Sequence, residues 1–120
     1  KAWSKKISEF DGYIFVTPEY NHSIPGALKN AIDFLYHEWN NKAAGIVGYG
    51  ATGGASAAES LRMILAELQI ADVRTQVRIS LYTDFIHFET FHPAPFQEKS
   101  VQDMLDQVVA WSTALKTIRS

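Results

Sequence analysis

Three strand-like runs alternate with four stretches of helical periodicity along this chain. Trp3, Ile7 and Phe10 recur at helical spacing and stop at Asp11-Gly12, which predicts a short opening helix with no cap of its own. Tyr13 to Thr17 follows and is apolar throughout, the pattern of a strand buried on both faces. From about Pro25 to Trp39, residues Leu28, Ala31, Ile32, Leu35 and Trp39 form the stripe of a second helix. Pro25 lies in its first turn, and Ser23 or Asn21 is available as its cap. Ala43 to Tyr49 is a second buried strand. A third helix starts near Gly54 with Ala58, Leu61, Ile64, Leu65 and Leu68 on one face. Val73 to Leu81 alternates apolar with polar residues, as a half-exposed edge strand does. Tyr82 to Lys99 reads as a long aromatic loop, and Ser100 to Ile118 as a closing helix.

Strand–helix alternation of this kind predicts a parallel sheet covered by helices on both sides. The 120 residues suffice for one domain with a real core. The net charge of −2 gives no electrostatic case for nucleic acid or an anionic membrane surface. No apolar run approaches the roughly 18 residues that a membrane-spanning helix needs. The absence of cysteine excludes disulfide and thiol chemistry and favours a cytoplasmic location.

Chemistry concentrates where the first two strands end, which in open α/β sheets is where ligands bind. After the first strand comes Pro18-Glu19-Tyr20-Asn21-His22-Ser23. Backbone N–H groups there suit the polar edge of a flat heteroaromatic ring, Tyr20 its face, and Asn21 both its donors and acceptors. On local chemistry alone, Asn21 and Ser23 serve equally well as helix caps. Glu19 is read as binding through its main chain, with its side chain toward solvent or a partner subunit. After the second strand comes Gly48-Tyr49-Gly50-Ala51-Thr52-Gly53-Gly54, whose glycines permit close backbone approach to a ligand. Here a bulky side chain at Gly53 or Gly54 is expected to occupy ligand space. The loop opens a helix whose N-terminus favours negative charge. It matches neither a GxGxxG fingerprint nor a Walker A loop, and by itself a tight turn explains its glycines equally well.

Other residues carry less. His22, His37, His87 and His92 lack metal-ligand spacing, and no HExxH is present. Ser56 and Ser60 lack a GxSxG elbow. Tyr36 to Trp39 reads as core or subunit contact. Phe85, Phe88, Phe91 and Phe96 suit a lid, a dimer contact or plain packing.

The stretch PEYNHSIPGALKNAIDF, Pro18 to Phe34, together with the GYGATGG loop, resembles the NAD(P)H-dependent FMN reductase family, and the likeness covers essentially the whole chain. LYHEW, Leu35 to Trp39, looks closest to its quinone reductase branch. The resemblance implies a flavodoxin-like α/β/α fold with strand order 2-1-3-4-5, in which the three strands here are the third to fifth. The chain is then the C-terminal two-thirds of one FMN-binding domain, with the first strands missing upstream. FMN is expected at Pro18, Glu19, Tyr20, Asn21, Gly48, Tyr49, Gly50, Gly53 and Gly54, with NADPH or NADH as co-substrate. Hydride would pass through FMN to a quinone-like small acceptor, with no protein group as acid, base or metal ligand. A homodimer or dimer of dimers is implied, packed through the helices after both loops. The other reading is a flavodoxin-like module without turnover: an electron carrier, redox sensor or structural partner. The GSxRxxS-type loop that grips the FMN phosphate in this family has no counterpart here. Loss of three charge-assisted hydrogen bonds at about 1.5–3 kcal/mol each predicts roughly a thousandfold or greater loss of FMN affinity for these residues alone.

Overall fold

In the computed structural model, which describes residues 1–119, three parallel strands form the central sheet in the order β1-β2-β3. They are β1 (Gly12–Pro18), β2 (Lys42–Gly50) and β3 (Ile70–Ser80). Helices α1 (Ala2–Ser8), α2 (Gly26–Asp33) and α3 (Ala55–Glu67) connect and cover them, and α4 (Phe96–Lys116) closes the chain. A short antiparallel hairpin, β4 (Phe85–Ile86) and β5 (Thr90–Phe91), precedes α4. The order and the parallel sense are those expected of the last three strands in a 2-1-3-4-5 sheet.

Each face of the sheet has its own core. On one, Ile7, Phe15, Ile32, Trp39, Ile46, Leu61 and Leu65 pack α1, α2 and α3 against β1 and β2. On the other, Met104 and Val108 of α4 lie on Val73 and Val77, with Val47 and Ile79 partly covered. The expected α3 stripe is confirmed, with Ala58, Leu61, Leu65 and Leu68 all buried.

Three expectations need correction. First, β1 is not buried on both faces: Phe15 and Thr17 are, but Ile14 is exposed and Val16 is 68% exposed. The cause is the placement of α4, whose buried Met104 and Val108 pack with β2 and β3 residues and leave Ile14 and Val16 uncovered. Second, α2 ends at Asp33, and the segment to Trp39 leaves the helix through a 3₁₀ turn over His37–Trp39. Burial of Trp39 drives this departure. Its ring is 1% exposed, packs on Tyr13 at 5.0 Å, and donates from Nε1 to the Ile32 carbonyl at 3.1 Å. Third, the aromatic loop holds the hairpin, and α4 begins at Phe96 rather than near Ser100.

β3 also carries an irregularity the alternation did not announce. Its register against β2 shifts between Ala44 and Ile46. Near this bulge the Thr75 N–H donates to Oε1 of Gln107 at 2.9 Å, and Gln107 Nε2 donates to Thr75 Oγ1. β3 carries two extra residues there and leaves its partner's ladder locally, and α4 satisfies the exposed group.

Candidate functional site

The strand ends fall on one edge of the sheet. Pro18 sits opposite Tyr49, and Gly50 sits opposite Ser80, so the loops after β1, β2 and β3 are neighbours. This brings together the two segments singled out in the sequence and adds a third, the start of the hairpin.

The first loop is a preformed turn. The Tyr20 N–H donates to the Ser23 carbonyl at 2.8 Å and the Ser23 N–H donates back to Tyr20 at 3.0 Å. Asn21 and His22 between them have φ of 51° and 67°, the signature of a two-residue I′ turn. Asn21 and Ser23 are therefore not helix caps; Pro25 takes that position and α2 has no side-chain cap. Such a turn leaves its two central N–H groups, on Asn21 and His22, without acceptors of their own. Beside them the Tyr20 ring is 60% exposed. A polar edge next to an open aromatic face suits a flat heteroaromatic ring.

Glu19 overturns its sequence-based reading. Its side chain turns inward, and Oε1 accepts the Ala57 N–H at 2.9 Å. With Gly54 as N-cap, Ala57 is the third residue of α3, so Glu19 caps that helix from another loop. The anionic carboxylate thus takes one of the donors that an anionic ligand would otherwise use. Nearby, His22 Nδ1 lies 3.3 Å from Ser56 Oγ, and Ser60 Oγ donates to the His22 carbonyl at 3.3 Å. Three contacts therefore bind the first loop to α3.

The glycine loop is shaped by its own packing. Gly53 and Gly54 have φ of 71° and 68°, where L side chains are strained. A Cβ on Gly53 would stand 2.7 Å from Arg78 Cβ, and one on Gly54 would stand 2.6 Å from the Tyr49 nitrogen. At Gly48 it would meet the Gly53 carbonyl oxygen at 2.8 Å. Protein fills the space that was expected to belong to a ligand at Gly53 and Gly54. Only at Gly50 is there ordinary room, where a Cβ would have Glu19 Cβ as its nearest neighbour at 3.6 Å. Tyr49 stacks on Phe85 at 5.9 Å, and Phe85 lies 5.4 Å from Phe91, which joins the glycine loop to the hairpin.

Asp84 organises that hairpin and had no sequence signal. Although wholly buried, its carboxylate accepts from Ser80 N–H at 2.9 Å, Ala94 N–H at 2.8 Å, Gln97 Nε2 at 3.0 Å and Thr83 Oγ1 at 3.0 Å. Burial pushes its pKa upward, but the Ala94 and Ser80 N–H groups, helped by Thr83 and Gln97, outweigh that and hold it below the ordinary value.

The residues present fit the ring end of a flavin: open N–H groups, an exposed tyrosine and a rigid turn on the sheet's carboxyl edge. A phosphate grip is not among them. The outer flank of β1 has no paired strand among the described residues.

Residues 1–84 match the model of the NADPH-dependent FMN reductase family. The chain is 44% identical over 94 residues to an NAD(P)H-dependent FMN reductase of Schizosaccharomyces pombe, covering 78% of this chain and 47% of that one. It is 32% identical over 120 residues to a 2-hydroxy-1,4-benzoquinone reductase of a Burkholderia species, covering 92% and 65%. Among solved structures, the flavoenzyme NAD(P)H:(acceptor) oxidoreductase FerB of Paracoccus denitrificans superposes with a TM-score of 0.66 at 25% identity, over 95% of this chain and 65% of that one. The chain spans about half the length of the first curated relatives it matches. With 84 of its 120 residues matched by the family model, the chain belongs to the NADPH-dependent FMN reductase family.

Proposed function

We propose that this chain carries the flavin-ring half of an FMN-dependent NAD(P)H oxidoreductase that reduces quinone-like small acceptors. The observation that carries the reading is the juxtaposition of the Tyr20–Ser23 turn and the Tyr49–Gly50 strand end on one sheet edge. FMN, when bound, supplies the hydride chemistry. The chain's residues orient and shield it: Asn21 and His22 offer N–H groups to the ring's polar edge, and Tyr20 covers its face. Glu19 holds this turn against α3, so the two loops keep their spacing in the absence of ligand. Pro18, Gly48, Gly53 and Gly54 serve by shaping the backbone around the ring.

A homodimer is part of the proposal. Phe34 is 72% exposed and lines an apolar groove of about 480 Å³ with Trp3, Ala27, Ala31 and Leu35 between α1 and α2. That surface supports a subunit contact. None of the helices of the described residues is long and apolar enough to cross a membrane, and a cytoplasmic location is proposed.

The test uses the longest form the gene encodes, purified and incubated with FMN. Retained flavin absorbance, and NAD(P)H oxidation that is stimulated by a benzoquinone, are the expected results. Flavin retention without NAD(P)H oxidation would instead favour an electron carrier, and no flavin at all would favour a structural module.

A further inference from the structure

Three of the chain's four arginines, Arg62, Arg74 and Arg78, line one polar groove of about 450 Å³ between α3 and β3. The chain as a whole is acidic, so this clustering runs against its net charge of −2. Arg62 is fixed: Nη1 binds Asp72 at 2.6 Å and the Val73 carbonyl at 2.9 Å, and Nη2 reaches the Arg74 carbonyl. Arg74 and Arg78 are exposed and have no ion-pair partner among the described residues. Glu59 stands on the rim, and with Asp72 committed to Arg62 the groove keeps a positive balance. Gln76 adds an uncharged donor.

The groove's position gives it meaning. Arg78 is paired in register with Gly48, and its Cβ abuts Gly53, so it stands directly behind the glycine loop. It lies two strand spacings from β1, roughly 10 Å. The flavin phosphate is expected on the opposite flank, beyond β1, so these arginines are on the wrong side to hold it. The N-terminus of α3, the other place for an anion, has its third amide occupied by Glu19. Paired guanidinium forks suit a phosphate monoester, which two arginines meet with parallel charge-assisted bonds.

We propose that Arg74 and Arg78 bind the 2′-phosphate of the pyridine nucleotide and make the protein prefer NADPH to NADH. This inference rests on the reductase reading and names its electron donor. The ring of the dinucleotide reaches the Tyr20 and Tyr49 loops while its phosphate end lies in the groove, Arg62 serving as the fixed wall.

The experiment has two arms. On flavin-free protein, calorimetry compares adenosine 2′,5′-bisphosphate with adenosine 5′-monophosphate. The first binds more tightly, and Arg74→Gln or Arg78→Gln each lowers its affinity roughly tenfold or more while the monophosphate is little changed. On FMN-loaded protein in its longest form, the same variants raise KM for NADPH and leave KM for NADH and kcat unchanged. Thermal midpoints within a degree or so of wild type show that the exposed substitutions fold; if Arg78→Gln does not, Arg74→Gln alone carries the test. Equal affinity for the two nucleotides, or equal losses for both, would overturn the assignment and leave the arginines as charges that keep the β3 edge from pairing with other chains. Active enzyme indifferent to the 2′-phosphate sinks this inference alone. Absence of flavin binding and of NAD(P)H oxidation sinks the reductase reading, and the bisphosphate titration still decides the groove.

Discussion

Removing the Glu19 side chain tests whether it acts through folding or through the ligand. Glu19→Ala deletes the acceptor of the Ala57 N–H and with it one of the three contacts between the first loop and α3. A hydrogen bond to a charged acceptor is worth about 1.5–3 kcal/mol net, and a carboxylate at a helix N-terminus adds about 0.3–1 kcal/mol. Freeing a glutamate side chain returns up to about 1.5–2 kcal/mol of entropy. The balance is a loss of about 1–2 kcal/mol, in the range of an N-cap deletion. With a urea slope of about 1–3 kcal/mol/M, the midpoint should fall by roughly 0.3–2 M. Glu19→Gln keeps an oxygen for Ala57 but not the charge, and should lose about half as much. FMN affinity should fall in both variants, in the same order as stability, because the turn is held less firmly against α3. An unchanged urea midpoint in Glu19→Ala, with flavin binding abolished, would refute the reasoning and make Glu19 a direct ligand contact.

Three further perturbations address other parts of the structure. Asp84→Ala leaves the Ser80 and Ala94 N–H groups without their acceptor, while the Gln97 amide keeps the Arg78 carbonyl, and should cost about 3–5 kcal/mol by denaturant titration, with fast hydrogen exchange at Ala94. Because its folded pKa is lowered, the contribution of Asp84 is present above the unfolded value near 4 and lost as pH falls through the folded one. Asp84→Ala should therefore have a flatter acid limb than wild type. Gly54→Val should lose fold and flavin together, by more than about 2 kcal/mol, since its Cβ meets the Tyr49 backbone at a left-handed φ; retained stability with lost flavin would contradict this. Burial raises the Tyr13 pKa to about 12, so its contribution is complete below pH 10 and is lost as pH rises through 12. Lys42, which donates to the Tyr13 hydroxyl at 3.1 Å and whose pKa is lowered by burial, titrates in the opposite sense. Tyr13→Phe should remove the downward limb between pH 10 and 12 in alkaline unfolding curves.

The elements whose burial depends on their own period were legible. The run of β2 lies between two packed faces and the α3 stripe faces one of them, so hydrophobic pattern and position coincide. Legibility failed where another part of the chain decides. Val16 looks as buried as Phe15 in the sequence, but only Phe15 faces a covered side of the sheet. Trp39 looks like one more helical position, and its indole finds its pocket only after the helix has been left. Asn21 and Ser23 have equal standing in the sequence as helix caps or as flavin contacts, and the turn that Tyr20 and Ser23 close, with Asn21 and His22 at positive φ, takes them out of the cap position. Asp84 resembles any polar loop residue, because the donors that surround it come from Ser80, Thr83, Ala94 and Gln97 and converge only in three dimensions. The glycine loop was legible as a turn, and its ligand space was assigned to glycines that pack against protein.

The central claim is that the flavin ring lies across the loops after β1 and β2, and amide hydrogen exchange with and without FMN tests it most directly. In the longest form of the protein, exchange should slow at Asn21 and His22 and at Gly50 to Thr52 on adding FMN. The groove between α1 and α2 should be unaffected by monomeric FMN binding. Protection confined to that groove, or to the arginine groove behind Gly53, with none at Asn21 and His22, would contradict it.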